Sequence, residues 1–242
     1  MNGNFLQYLP VVTKILLGLN IAVFILASIF PVLNQILALH YFESPLFVIH
    51  QTVSHIFMHS GIAHLLFNMY ALVMFGSVIE KQLGTQKFCL LYFFSAIGAF
   101  FLHMGIIWWQ LADVPVEVLS IIQTQGAEII VNGQNYIDEF LGSTNIKYNG
   151  ALVGASGAIM GLLVSFGILY PNTKLQLIFL PIPVKAKYFM PIIMLIELLL
   201  GVGDFQWDNI AHFAHLGGAI TGALLLAFWI KKRDVVISRN QY

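Results

Sequence analysis

Ser156 and His215 are the residues whose types and settings most directly allow chemistry. Gly154-Ala155-Ser156-Gly157 opens one apolar segment and Ala214-His215-Leu216-Gly217-Gly218 opens another. Polar groups at membrane depth are costly, so each calls for a partner. A hydroxyl is a weak nucleophile until a base takes its proton, and an imidazole is such a base. The oxyanion formed on attack then needs donors aimed at it. Ser156 stands at the start of its segment, where unpaired backbone N–H groups and the positive end of the helix dipole collect. Gly154, Ala155 and Gly157 leave room for a substrate backbone.

Spacing supports the pairing. Gly218 and Gly222 follow His215 at i+3 and i+7 and share its helix face. Gly157 and Gly161 form a second small-xxx-small pattern on the serine segment, and such patterns permit close helix approach. His64 and Asn68, at i,i+4, can both donate hydrogen bonds from one face and are natural side-chain donors for an oxyanion. As a structural pair they would instead satisfy each other in helix packing.

The elements that must hold these groups are transmembrane helices. Of 242 residues, 59% are hydrophobic and only 9% charged, against about 25% charged in soluble domains; the mean hydropathy is +0.84. The expected fold is all-α and polytopic, with six spans near 12–33, 62–83, 87–109, 154–170, 188–203 and 211–230. The fourth and fifth are short, as suits helices ending in a protein-lined cavity. Residues 1–11 lack a basic run and precede a retained first span rather than a signal peptide. Residues 12–230 then form one domain with an extracytoplasmic insertion at about 110–150, and 231–242 form a cytoplasmic tail.

Orientation follows from charge. Lys14, Lys81, Lys87, Lys174, Lys185, Lys187, Lys231, Lys232, Arg233 and Arg239 fall on one side, and Lys147 on the other. Glu43, Asp113, Glu117, Glu128, Asp138, Glu139, Asp204 and Asp208 lie opposite the lysines. The positive-inside rule makes both termini cytoplasmic and turns the Ser156 and His215 ends outward. No basic run is long enough to suggest nucleic acid. The single Cys89 excludes an intrachain disulfide and reads as a small buried hydrophobe. In 110–150, Asn132-Gly133 hints at a hairpin turn, and an amphipathic surface helix fits nearly as well. Pro171, Pro181 and Pro183 argue for extended chain over 171–187.

The chain resembles the rhomboid family of intramembrane serine proteases. Gly154-Ala155-Ser156-Gly157 matches the family's G-x-S-G, and Ala214-His215 through Gly218 and Gly222 match A-H-x-x-G-x-x-x-G. His55, His59, His64 and Asn68 match H-x-x-x-H-x-x-x-x-H-x-x-x-N, and Glu80-Lys81-Gln82-Leu83-Gly84 matches E-x-x-x-G. The resemblance spans roughly residues 40–230. It implies a Ser–His dyad without a third acid, Ser156 being the nucleophile and His215 the base. An oxyanion site would come from His64, Asn68 and the backbone N–H groups of Ala155 and Ser156, and a re-entrant loop from about 34–61. The implied activity is endoproteolysis of transmembrane protein substrates near the extracytoplasmic face, without a cofactor or metal, in a bacterial cytoplasmic (inner) membrane. The chain departs from the family at His50-Gln51, where Trp-Arg or Trp-Gln is common, and at Met160, where an aromatic often follows the serine.

Two other readings use the same residues. A metal transporter would take His55, His59, His64, His212 and His215 as ligands with Glu197; a catalytically inactive relative would only bind membrane proteins. His212 reads as a structural donor. Glu197 reads as a structural acid, too far inside the fifth span to orient His215. The loop 203–210, with Phe205 and Trp207, has the composition of a lid over the His215 end, and the fifth span, poor in small residues, is the natural lateral gate. Nothing in the sequence sets the oligomeric state or names the substrate.

Overall fold

In the computed structural model the described residues are 5–177, 180–203 and 210–235. Among these, five helices are long and apolar enough to cross a membrane: Val11–Ile29, Ile62–Leu83, Thr85–Leu111, Ala186–Gly203 and His212–Lys231. The remaining expected span forms the helix Ser156–Leu169. Its 14 residues extend about 21 Å at 1.5 Å each, less than the ~30 Å of a hydrocarbon core. The first helix stops four residues short of the expected boundary because Phe30, at φ −119° and ψ 86°, has left the helical region ahead of Pro31.

The Ser156 helix is the core of the bundle. Residues on every side of it are buried, from Gly157 to Leu169, as its almost wholly apolar composition requires. It packs against the long helix Thr85–Leu111 and the His215 helix, His212–Lys231. The glycine seam takes the expected form. A Cβ on Gly218 would overlap the carbonyl oxygen of Gly157, and one on Gly222 would lie 2.6 Å from the Cα of Gly161. A second seam comes from the long helix, where Ser95 and Ala99 sit against Gly161 and Gly157, and Gly98 against Gly217. Phe101, Trp109, Leu199 and Leu224 are exposed on the outer faces, the arrangement of a protein whose solvent is lipid. Ala186–Gly203 is the peripheral helix, with 11% of its span buried against 28–44% for the other four.

The bundle end opposite Ser156 is fastened by a carboxylate. Glu80 accepts hydrogen bonds from the backbone N–H groups of Val12 and Thr13 at 2.9 and 2.7 Å and from the Thr13 hydroxyl at 2.8 Å. It satisfies orphan donors of the first helix and meets the positive end of its dipole. Gly84, at φ +78°, then lets the chain turn directly into the long helix. Segment 171–187 contains an antiparallel pair, Lys174–Leu177 with Leu180–Lys185, in keeping with the extended chain expected there.

The insertion is helical, and Asn132-Gly133 is not a hairpin turn. Helical residues 116–131 end in a left-handed Gly133 (φ +70°), with Gln134 N–H donating to Ile129 and Gly133 N–H to Ile130. That is a glycine C-cap, which competes with the hairpin reading of the same dipeptide. A second helix, Glu139–Asn149, folds back on the first. Asn145 and Asn149 donate to the carbonyls of Gly126 and Ile122, and a Cβ on Gly126 would overlap Asn145. The helical pair grips residues 39–44: Ser44 donates to Asn149 at 2.7 Å, His40 to the Asn149 carbonyl at 3.0 Å and Tyr148 to the Glu43 carbonyl at 2.9 Å.

Candidate active site

The Ser156 helix begins at the serine, and the turn before it is built around Gly154. Its φ of +128° lies where side chains are strained, and a Cβ there would sit 2.9 Å from both Cε1 and Nε2 of His64. The Gly154 N–H donates to the His55 carbonyl at 3.0 Å, so the loop preceding the His64 helix supports the serine turn. His55 is held by its own Nδ1–H, which donates to the Gln51 carbonyl at 2.7 Å. Burial pushes the His55 imidazole down to about 4.

Ser156 and His215 meet. Nε2 of His215 lies 2.8 Å from Oγ of Ser156, a hydrogen bond across the glycine seam. His64 reaches the other side of the serine turn. Its Nδ1 accepts from the Ser60 hydroxyl at 3.0 Å and, at a long 3.4 Å, from the Ser60 backbone N–H. A backbone N–H only donates, so Nδ1 is unprotonated and Nε2, on the ring edge that faces Gly154, carries the proton. Asn68 is buried, and its side-chain amide donates to the His64 carbonyl at 2.9 Å. The N–H groups of Ala155 and Ser156 precede the first helical turn, where no intrahelical acceptor exists.

Glu197 corrects the expectation set out for it. Its Oε2 lies 3.0 Å from Nδ1 of His215 and 2.6 Å from Nδ1 of His212. Counting inward from the end of its own helix misjudged the depth, because His215 also sits one turn inside its helix. Gly201 packs against His212 and Phe213; one turn inward from that contact on each antiparallel helix brings Glu197 level with His215. Spacing carried the signal: Glu197 and Gly201 at i,i+4 face His212 and His215 at i,i+3. Ser60, the partner of His64, also went unread. Phe205 and Trp207 lie outside the described residues.

Glu197, His212 and His215 are also a possible metal donor set, their ligating atoms lying within 4.8 Å of one another. The N···O separations of 2.6 and 3.0 Å are hydrogen-bond lengths, however. Tetrahedral ligands about 2.0–2.1 Å from zinc would stand about 3.3 Å apart. His55, His59 and His64 lie outside this group. A cavity of about 660 Å³ between the insertion and the bundle is lined by Gln110, Asn135, Asp138 and His212, among others. Its lining mixes these polar groups with apolar ones such as Ile107 and Leu152, and it reaches to one helical turn from His215.

A family model described as the Rhomboid domain matches residues 47–109 and 117–232. Similar curated proteins include "Rhomboid protein 1, mitochondrial" of Saccharomyces cerevisiae, 28% identical over 86% of this chain and 50% of that protein. "RHOMBOID-like protein 6, mitochondrial" of Arabidopsis thaliana is 24% identical over 72% of this chain and 41% of its own length. "Rhomboid protease AarA" of Providencia stuartii is 27% identical over 72% and 53%. The chain thus spans about half the length of these relatives. Two of the three are named as mitochondrial, so the expectation of a bacterial cytoplasmic membrane finds no support; a multi-pass membrane protein is what stands.

Proposed function

Because this chain belongs to the rhomboid family, we propose that it is an intramembrane serine endopeptidase that cleaves transmembrane segments of membrane proteins near the extracytoplasmic side. The observation that carries the reading is the 2.8 Å contact between Ser156 Oγ and His215 Nε2, between helices whose outer faces belong in lipid. All six apolar helices cross or enter the bilayer in this reading, with both termini cytoplasmic by the distribution of lysine and arginine.

The chemistry follows from the geometry. His215 Nε2 takes the Ser156 proton as Oγ attacks the scissile carbonyl. The oxyanion is met by the Nε2–H of His64, the second N–H of the Asn68 amide and the backbone N–H groups of Ala155 and Ser156. On collapse of the tetrahedral intermediate His215 gives its proton to the leaving amine, and water repeats the sequence on the acyl-enzyme. The cavity ending at His212 is the route for that water, and the peripheral helix Ala186–Gly203 is the side from which a substrate helix enters.

Ser156→Ala and His215→Ala should each lower cleavage of a transmembrane test substrate by more than ~10³-fold, and Ser156→Ala should abolish labelling by a fluorophosphonate. Cleavage that survives in Ser156→Ala, or that a chelator stops while the fluorophosphonate does not, refutes this function.

A further inference from the structure

Glu197 has a role that the hydrolytic pair leaves open. Its Oε2 stands 3.0 Å from His215 Nδ1 while His215 Nε2 stands 2.8 Å from Ser156 Oγ, so serine, imidazole and carboxylate form one line. The carboxylate is half-buried, 16% exposed, on the helix Ala186–Gly203. As a carboxylate it only accepts, and in that state each Nδ1 it touches carries a proton. For His215 this decides the tautomer. A neutral imidazole can hold its proton on either nitrogen, and only the form protonated at Nδ1 offers a lone pair to the serine hydroxyl.

The surroundings also show which group opposes the charge that develops. When His215 takes the serine proton it becomes an imidazolium in a largely buried site. The His212 ring on its own helix lies 6.4 Å from that of His215, and His64 and His103 are the other imidazoles that feel it; neutral, none of them brings a negative charge to oppose a cation. Glu197 can, at contact distance. His212 donates to the same oxygen at 2.6 Å, which holds the carboxylate in place.

We propose that Glu197 is a positioning residue for His215, so that the site operates as a Ser156–His215–Glu197 relay steadied by His212. The proposal rests on the serine-protease reading and replaces its two-residue form with three. Proton accounting is simple: the serine proton moves to His215 Nε2 and on to the leaving amine, while the Nδ1 proton stays on His215 throughout.

The test uses the full chain in detergent or liposomes and compares wild type with Glu197→Gln and Glu197→Asp. Cleavage kinetics are measured against pH, with fluorophosphonate labelling rates and melting temperatures alongside. Glu197→Gln, nearly isosteric, should lower kcat by ~10²–10⁴-fold with KM close to wild type, and should slow labelling in parallel. Removing the negative charge that faces the reacting groups should move the rising limb of the pH profile to lower pH. Glu197→Asp keeps the charge but withdraws it by one methylene; its rate should be intermediate and its limb near the wild-type position. A purely structural carboxylate would change the melting temperature and leave the limb where it was.

An active wild type with a Glu197→Gln variant unchanged in kcat and pH profile overturns the role of Glu197 and leaves the protease reading intact. A wild type inert to both substrate and probe overturns both. If Glu197→Gln does not fold, Glu197→Asp decides: reduced kcat at unchanged melting temperature supports the relay, and wild-type kcat refutes it.

Discussion

At the residue scale the serine turn depends on the absence of a side chain at Gly154. The φ of +128° and the 2.9 Å clearance to the His64 ring are separate reasons why no other residue fits. Gly154→Ala should therefore strain the turn and push the imidazole from the proposed oxyanion position. The expected result is a loss of ~10²–10³-fold in rate, the cost of one oxyanion donor, with Ser156 still hydrogen-bonded to His215. Rate and melting temperature measured together check it, and a variant of wild-type rate would remove His64 from the oxyanion site. The sequence displayed this glycine as part of a motif but not its conformation, because a dihedral angle is set by what packs on both sides of the turn. It displayed the histidines and Asn68 for a simpler reason: polar side chains stand out in an apolar run. Glu197 stood out too and was misread, since depth along one helix says nothing until the height of its neighbour is known.

At the element scale the Ser156–His215 contact exists only because three helices approach to backbone contact. The glycines on the Ser156 and His215 helices were legible because a four-residue glycine repeat has few other uses in an apolar helix. Ser95 and Ala99 share the same spacing on the long helix but read as ordinary small residues, so that seam stayed hidden. The two kinds of glycine can be separated by experiment. Gly105 faces open space within 4 Å, whereas a Cβ on Gly218 would overlap the backbone of Gly157. Gly105→Ala should be neutral or stabilise the helix by ~0.5–1 kcal/mol. Gly218→Ala should cost about 1–3 kcal/mol and take activity with it, since neither backbone can yield without moving Ser156 from His215. Thermal melts and cleavage rates of the two variants check the contrast, and equal melting temperatures would count against the seam.

At the scale of the whole molecule, acid should loosen the fold through the loop before the His64 helix. Burial pushes His55 down to about 4, and burial with His64 nearby does the same for His59; burial also lowers His40. Unfolded, each binds a proton below about 6.5. Between that value and about 4 the unfolded chain holds more protons, so stability rises with pH and is lost as pH falls through this window. For His55 alone the loss is about 3 kcal/mol. Melting temperatures from pH 7 to 4 should fall steeply below about 6.5, and a flat profile would mean these imidazoles are hydrated. Their coupling to the insertion through His40 and Asn149 was not legible, because residues far apart in the chain meet there and no local pattern announces it.

The carboxylate of Glu80 sets an order on biosynthesis. The first helix cannot complete its amino-terminal hydrogen bonds until Glu80 has been made, 67 and 68 residues after the amides it accepts from. At roughly 5–20 residues per second that leaves the first helix waiting for seconds on the far end of the second. A nascent chain in that interval holds two tethered but undocked hydrophobic segments. The late arrival of one acidic side chain is what closes them into a pair.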